Sequence, residues 1–383
     1  MVRKRSVLLF SASRLLRSFS LLLLSVSAPY YLLHLGLSYI TTGIAIFISS
    51  LSSTVAIYLY PRLRLGNRNT VVVYSCIFAI SILLMLLFRN VWMYVFAIAI
   101  GGISLSGRDM TPNQPVEQYS ISMESDNQES KNRSFAFYNF MAYTGNIAGS
   151  LYLLVWSAGN FSLIFLASFA AALFSVIPYA FCTFHERDRT EEKTKMTGET
   201  KRVARELALL FGTDSFAGGL IGTSMLSLWF NTVYGTSLTY NGLIFLVVSI
   251  ITAVSMLYSG IVSTRYGLGR TMVVTHLISN GFLLMVPVIH SLIYSEIFLF
   301  ARQSTSQMDV PPRDSFINTV LDKETRVQTN SMFLMSRNAA QVPSPALGGV
   351  IIGAAAPGLL YAAGLIKAGY DLAFYARFHS YKL

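Results

Sequence analysis

The chain has 383 residues, of which 53% are hydrophobic and only 12% are charged, and its formal net charge is +11. Its mean hydropathy of +0.53 excludes an ordinary soluble domain, which needs more polar surface. In a soluble protein the positive charge would suggest nucleic acid, but here the basic residues cluster in short loops between apolar runs. We therefore expect a protein that lies in the lipid bilayer and binds no nucleic acid.

Apolar runs follow one another along the chain, and each is close to the roughly 20 residues that cross the hydrocarbon layer as a helix. Inside lipid the backbone polar groups must be satisfied within each element, so these runs predict α-helices. The predicted spans are 8–34, 38–60, 70–88, 91–110, 134–157, 160–182, 207–233, 240–262, 271–290, 293–312, 328–353 and 356–376.

A charged stretch in the middle of the chain separates six predicted spans from six others. We predict an N-terminal half over 1–182, a cytoplasmic linker over 183–206 and a C-terminal half over 207–383. Lys and Arg concentrate in the segments on the side of the N-terminus, and the opposite loops hold essentially only Arg89. This asymmetry predicts that both termini are cytoplasmic. We expect a monomer in the cell membrane.

Features of the first half recur at a nearly constant spacing in the second half. An ordered series of such matches indicates an internal duplication. In a membrane protein, two parallel repeats predict a transporter whose halves are related by a pseudo-twofold axis along the membrane normal and move against each other. The clearest recurring pairs are Gly36 and Gly235, Gly43 and Gly242, Pro112 and Pro311, and Gly149 and Gly348.

Ionisable residues inside the predicted spans are the sharpest functional signal, because burying a charge in lipid is costly unless it faces a partner or water. Arg14 and Arg17 lie in the first span, and Asp214 has the repeat-equivalent position of Arg17 in the seventh. Arg17 and Asp214 either pair between the halves in one transport state or lie near the inner membrane edge and snorkel. Asp214 is the first candidate for a proton carrier.

A second group of charges lies deep in spans 10 and 11. Arg302 is near the middle of span 10, Asp309 follows on the same helical face, and Arg337 lies well inside span 11. These side chains either bind an anionic group of the substrate or form a fixed internal ion pair. Asp309 is the second candidate for a proton carrier.

Three further sets of residues have a structural prediction. Lys367 and Asp371 are spaced i, i+4 in span 12, which favours a structural ion pair between them. Asp109, at the end of span 4, and Glu117, just beyond it, are expected at the cytoplasmic mouth. His276 is the only histidine well inside a span, and a lone histidine is more often a structural residue.

Span 5 combines small and polar residues. Gly145 and Gly149 predict a close approach of another helix. Tyr138, Asn139 and Asn146 lie on the same span and are predicted to face a central, substrate-binding cavity.

The duplicated spans, the charged linker and the short loops between spans 2 and 3 and spans 8 and 9 together resemble the major facilitator superfamily over nearly the whole chain. A Gly/Asp/Arg-rich loop of that family corresponds here to Arg64 and Gly66, and to Arg265 and Gly267 in the second half; the aspartate is missing from both. The resemblance implies an all-α membrane fold, secondary transport by alternating access and a gating role for these loop residues.

Two motifs refine the resemblance. Ser344-Pro345-Ala346-Leu347-Gly348-Gly349 is similar to a glycine-rich pattern of drug–proton antiporters, and residues 302–313 look like those of a prokaryotic group of unassigned substrate. This implies proton-coupled export of a small organic or amphiphilic compound. Two alternatives stay open: an uptake symporter or uniporter for a polar or anionic metabolite, favoured by the buried arginines, and a non-transporting receptor. No nucleotide-binding, catalytic or metal-ligand motif occurs, so we expect no enzyme, cofactor or metal.

Overall fold

A computed structural model describes most of the chain, and every regular element in the described residues is helical, as predicted. The described residues are 5–63, 65–107, 109–125, 127–156, 159–186, 198–266, 268–308, 313 and 326–378. The α-helices are α1 (Arg5–His34), α2 (Tyr39–Leu59), α3 (Asn67–Leu87), α4 (Val91–Gly101), α5 (Asn113–Met123), α6 (Gln128–Trp156), α7 (Phe161–Phe174), α8 (Gly198–Leu220), α9 (Thr223–Tyr234), α10 (Leu238–Tyr266), α11 (Leu268–Met285), α12 (Leu292–Ser306), α13 (Arg326–Gln341), α14 (Ser344–Ala355) and α15 (Pro357–Phe378). Short 3-10 helices lie at Tyr60–Arg62 and Ile177–Phe181.

Several of these helices have the length and apolar composition of a membrane crossing. Among the described residues, five segments reach that length and composition without interruption, and the crossing at the position of α4 is shorter. The five segments are Arg5–His34, Tyr39–Arg62, Asn67–Leu87, Phe161–Phe181 and Leu238–Met256. The chain is therefore built to pass through the membrane several times.

One predicted span ends early, and two others are each divided into two helices. The fourth ends early because Gly102 takes the left-handed conformation (φ +55) directly after α4, which terminates the helix. The seventh is divided between α8 and α9, where Gly222 precedes the new helix in an extended conformation. The eleventh is divided at Pro343, from which α14 starts. The hydrophobicity of the sequence is uniform across these positions, so it does not predict where the helices end.

The chain divides into two compact units that differ from the predicted halves. The first unit comprises Met1–Arg189 and Gly222–Leu246, and the second comprises Thr190–Ile221 and Val247–Leu383. Helix α9 and the start of α10 therefore belong with the first unit. A boundary at the charged linker stays a prediction.

Helix α1 is the centre of the first unit and packs against α6, α7 and α9. The approach of α6 is so close that a Cβ atom on Gly145 would lie 2.2 Å from the backbone oxygen of Leu15. Only glycine fits at that point. Because α1 is covered on several sides, most of its side chains are buried, including the polar ones.

In the second unit α8 packs against α13 and α15, while α11 packs against α12 and α15. Aromatic residues fill the space between these helices, and the rings of Phe211 and Phe333 meet nearly at right angles with their centroids 5.2 Å apart. This packing brings α8, α11 and α15 to one place in the interior of the unit.

Candidate functional site

A buried group of charged side chains lies at the centre of the first unit. It is built on α1, on the segment between α4 and α5, and on α5, α6 and the second 3-10 helix. We call it the first ionic cluster, and its members are Arg14, Arg17, Asp109, Glu117, Tyr138 and Tyr179.

Arg17 and Glu117 form the core of the first ionic cluster. The guanidinium donates from Nη1 to Oε1 and from Nη2 to Oε2 of Glu117, each at 2.7 Å, and both side chains are fully buried. Such two-point pairing is the strongest geometry available to an arginine and a carboxylate. The hydroxyls of Tyr138 and Tyr179 also donate to Glu117. Every acceptor site of this carboxylate is therefore used inside the protein.

Asp109 connects the two arginines. Its Oδ2 accepts from Arg14 at 2.6 Å and from Arg17 at 3.0 Å, while its Oδ1 accepts from the backbone and side chain of Thr111. Only 8% of Asp109 is exposed. Asp109 is therefore a buried partner of α1, and its place at the cytoplasmic mouth stays a prediction.

The first ionic cluster is balanced in charge. Two guanidinium groups face two carboxylates, so each charge has a counterion inside the protein. Removing one member would leave a buried charge without a counterion, which is strongly destabilising. The geometry thus joins α1 by ion pairs to α5 and to the segment between α4 and α5.

A second buried group lies between α8, α11 and α15 of the second unit. We call it the second ionic cluster, and its members are Asp214, His276, Asn280, Lys367 and Asp371. Lys367 donates to Oδ1 of Asp214. Arg313 lies close enough to Asp214 to add a further positive charge there.

His276 is placed between the two carboxylates of the second ionic cluster. Its Nδ1 is 2.6 Å from Oδ1 of Asp371, and its Nε2 is 3.5 Å from Oδ1 of Asp214. Asn280 donates to the other oxygen of Asp371 at 2.7 Å, and the ring of Tyr370 packs edge-on against the imidazole. A neutral imidazole carries one N–H, so only the protonated ring can offer a donor to both carboxylates.

The predicted pair between Lys367 and Asp371 is wrong. Although i, i+4 spacing allows it, Lys367 binds Asp214 on α8 and Asp371 binds His276 on α11. The reason is that α15 is packed between these two helices, each of which offers a partner without bending the side chains back along the helix. His276, predicted to be a structural residue, is a member of the cluster.

The remaining predicted site residues are distributed over both units. Arg302 donates to Gln303 at 3.1 Å, and Arg337 donates to Ser215 at 3.2 Å. Asn139 and Asn146 are half-buried on α6. The structure brings none of these four into either ionic cluster as described above.

The predicted gating loops are described only in part. Gly66 precedes α3, and the carboxylate of Glu186 accepts two hydrogen bonds from the backbone N–H of Asn67 at 2.8 and 3.1 Å. A carboxylate near a helix N-terminus stabilises the helix. The loop before α3 has no carboxylate of its own, and Glu186 supplies one. Arg64, Gly267, Asp309 and the side chain of Arg265 lie outside the described residues.

Sequence analysis missed Tyr179 and undervalued Glu117 and His276. Glu117 lies on α5, which follows the end of α4, and the hydrophobic pattern does not predict where α4 ends. Tyr179 lies beside a proline in a 3-10 helix. The available signal was electrostatic: two arginines buried in one span require two nearby carboxylates.

Comparison with known proteins identifies the fold family. The sequence profile of the Major Facilitator Superfamily matches residues 10–345. The chain belongs to this superfamily. A comparison with curated protein sequences finds no significant match.

Solved structures of other superfamily transporters have the same fold. A D-xylose–proton symporter is 14% identical with a TM-score of 0.75, and the match covers 97% of each chain. A bacterial homologue of the human lysosomal transporter Spinster, inward-facing and occupied, is 13% identical with a TM-score of 0.72, over 99% of this chain and 97% of that one. The human organic anion transporter MFSD10 is 13% identical with a TM-score of 0.65, over 96% and 98%. At these identities the likeness concerns the fold alone.

Proposed function

We propose that this member of the major facilitator superfamily is a proton-coupled secondary transporter that exports a small organic or amphiphilic compound by alternating access. The observation that carries the proposal is the position of His276 between two buried carboxylates. The transporter is a monomer of the cell membrane with both termini in the cytoplasm, and it has no enzymatic activity or cofactor.

The coupling step follows from the charges in the second ionic cluster. Lys367 and the nearby Arg313 compensate Asp214, whereas among the described residues the side-chain partners of Asp371 are His276 and Asn280. Histidine is the side chain that most often gains and loses a proton in pH-responsive sites. Gain of one proton converts the His276–Asp371 contact into an ion pair, and loss of that proton leaves Asp371 without a cation.

This arrangement sharpens the expected role of Asp214. Its carboxylate accepts a hydrogen bond from the side-chain nitrogen of Lys367, so it already has a partner other than His276. In our proposal Asp214 holds Lys367 and orients Nε2 of the imidazole, while the proton resides on the His276–Asp371 pair. Asp309, the second predicted carrier, stays a prediction.

The direction and the cargo are proposed from weaker signals. Export is supported by the glycine-rich motif at the start of α14, with Pro345 in its first turn, because proline and glycine together allow helices to bend and approach closely. Uptake of an anionic metabolite by symport or uniport is the alternative. This alternative depends on Arg17, Arg302 and Arg337 as residues that bind an anion. Arg17 is already paired with Asp109 and Glu117, and this pairing supports export over uptake.

A reconstitution experiment tests the proposal. The full-length protein is placed in liposomes that contain a pH-sensitive dye, and ethidium, benzoate, uridine and xylose are added outside in turn. Entry of a compound in exchange for protons raises the internal pH, whereas entry together with protons lowers it. A rise supports coupled export, a fall supports symport, and transport without any pH change refutes proton coupling.

Variants of two histidines locate the coupling site. His276→Gln keeps a polar side chain but cannot take a proton, so we expect transport to continue without the pH change. His290→Gln is the matched control, because His290 is exposed in the loop after α11, and it should behave like the unmodified protein. Full coupling in His276→Gln would refute the assignment of the proton to the second ionic cluster, even if the protein proves to be a transporter.

A further inference from the structure

A cavity opens at one end of the first unit, away from the first ionic cluster. It has a volume of about 400 Å³ and lies where α1 and α3 end and α7 begins. The residues that determine its chemistry are Tyr31, His34, Arg89, Phe161, Ser162 and Phe165. This end of the unit is predicted to be extracellular, because Arg89 is essentially the only basic residue of the predicted outer loops. A cavity of this size is sufficient for a small organic molecule.

The charge in the cavity is positive. Arg89 lines it and donates one hydrogen bond, from Nη2 to the hydroxyl of Ser162 at 2.8 Å. A guanidinium has five N–H donors in a planar fork that suits a carboxylate or phosphate. Among the described residues, no acidic side chain lines the cavity. An anion is therefore favoured there over a cation, even though aromatic rings form part of the wall.

Tyr31 provides an independent indication of a ligand. Its side chain lines the cavity and is only 4% exposed. Its hydroxyl is buried and has no hydrogen-bond partner among the described residues. A buried donor without a partner costs free energy, and a ligand that accepted this hydrogen bond would recover it. The ring is held by Phe161 and Phe165, each with its centroid 5.0 Å away, so the hydroxyl has little freedom to find another acceptor.

The remaining wall is apolar. Phe161 and Phe165 face the space together with Met85 and Leu86. The ring of His34 packs on Phe161 with centroids 5.8 Å apart. Such a wall suits a hydrocarbon or aromatic body rather than a small inorganic ion.

We propose that this cavity binds a phosphate or carboxylate group attached to an apolar body, with Arg89 and the hydroxyl of Tyr31 as the recognising donors. The ligand is either a soluble organic anion or the headgroup of an anionic lipid, which share this chemistry. The site is separate from the proposed proton site, and its occupation does not depend on whether the protein exports or imports its cargo.

The experiment compares two kinds of probe on the full-length protein in a neutral detergent. Binding of phenyl phosphate is measured by calorimetry, and binding of phosphatidic acid against phosphatidylcholine is measured by native mass spectrometry. We expect Arg89→Gln to weaken binding of the recognised probe by about tenfold or more, because a charge-assisted contact is lost. Arg133→Gln is the matched control, since Arg133 is an exposed arginine paired with Glu129, and it should bind as the unmodified protein does.

A second variant separates recognition from folding. Tyr31→Phe removes only the hydroxyl, so the empty protein should melt at the same temperature or higher, while the probe binds several-fold more weakly. Binding of phenyl phosphate but not of phosphatidic acid identifies a soluble anion, and the reverse identifies a lipid; both outcomes support the site. Failure of both probes to bind, or equal affinity in the unmodified protein and Arg89→Gln, would overturn the proposal.

Discussion

The first ionic cluster makes a quantitative prediction about Glu117. The substitution Glu117→Gln keeps the shape of the side chain but removes one of two negative charges from a fully buried group. Arg17 then has only Asp109 as a counterion, at 3.0 Å, and that carboxylate is shared with Arg14. Breaking a buried ion pair costs about 3–5 kcal/mol. Because Asp109 remains in place, we expect a loss of stability near the lower end, about 3 kcal/mol.

A double variant tests whether the loss comes from the unpaired charge. Arg17→Gln together with Glu117→Gln restores the balance of charges and leaves Arg14 with Asp109. The double variant should be more stable than the sum of the two single losses implies, by about 2 kcal/mol or more. The measurement is reversible denaturant unfolding in detergent micelles, followed by circular dichroism.

The surface pair of Glu129 and Arg133 supplies the control for this cycle. Both side chains are largely exposed and form an i, i+4 pair, so Glu129→Gln should change stability by less than about 0.5 kcal/mol. Two results would refute the reasoning: a loss below about 1 kcal/mol for Glu117→Gln, or strictly additive losses in the double variant. Either would mean that the cluster is solvated or rearranged in the folded protein.

Two further predictions use the same unfolding measurement. Gly145→Ala should destabilise the protein by about 1–3 kcal/mol, because its Cβ would meet the Leu15 carbonyl; Gly218→Ala, with open space around its Cβ, should be neutral or stabilising by up to about 1 kcal/mol. Lys367→Met should cost about 3 kcal/mol by leaving the buried Asp214 carboxylate without its ammonium, and adding Asp214→Asn should recover part of that loss, whereas no recovery would argue against a direct pair.

The family and the helical architecture could be predicted because they depend on local and periodic properties. Hydrophobic length predicts where helices cross lipid, and the repeat predicts two related halves. The breaks at Gly102 and Pro343 could not be predicted in the same way. A single glycine or proline in an apolar run is tolerated in membrane helices when neighbours satisfy the freed backbone groups, and those neighbours are distant in sequence.

The sequence predicts which charged residues belong to the candidate site, but it does not predict which of them pair with each other. Arg17 and Asp214 were recognised because a charge within an apolar span requires a partner. The spacing in sequence predicts Asp371 as the partner of Lys367, whereas the fold provides Asp214 on another helix. The sequence shows no partner beside His276, because Asp371 comes much later in the chain.

The mismatched repeat positions Arg17 and Asp214 each lie in a buried ionic cluster, and the two clusters differ in one physical respect. The first joins arginines to carboxylates in pairs that balance each other's charge. The second contains an imidazole, so its net charge changes by one when His276 gains or loses a proton. A duplication that began with equivalent sites would in this way have separated two tasks. The first unit joins its helices with paired permanent charges of opposite sign, and in our proposal the second unit holds the group whose contacts change with the proton.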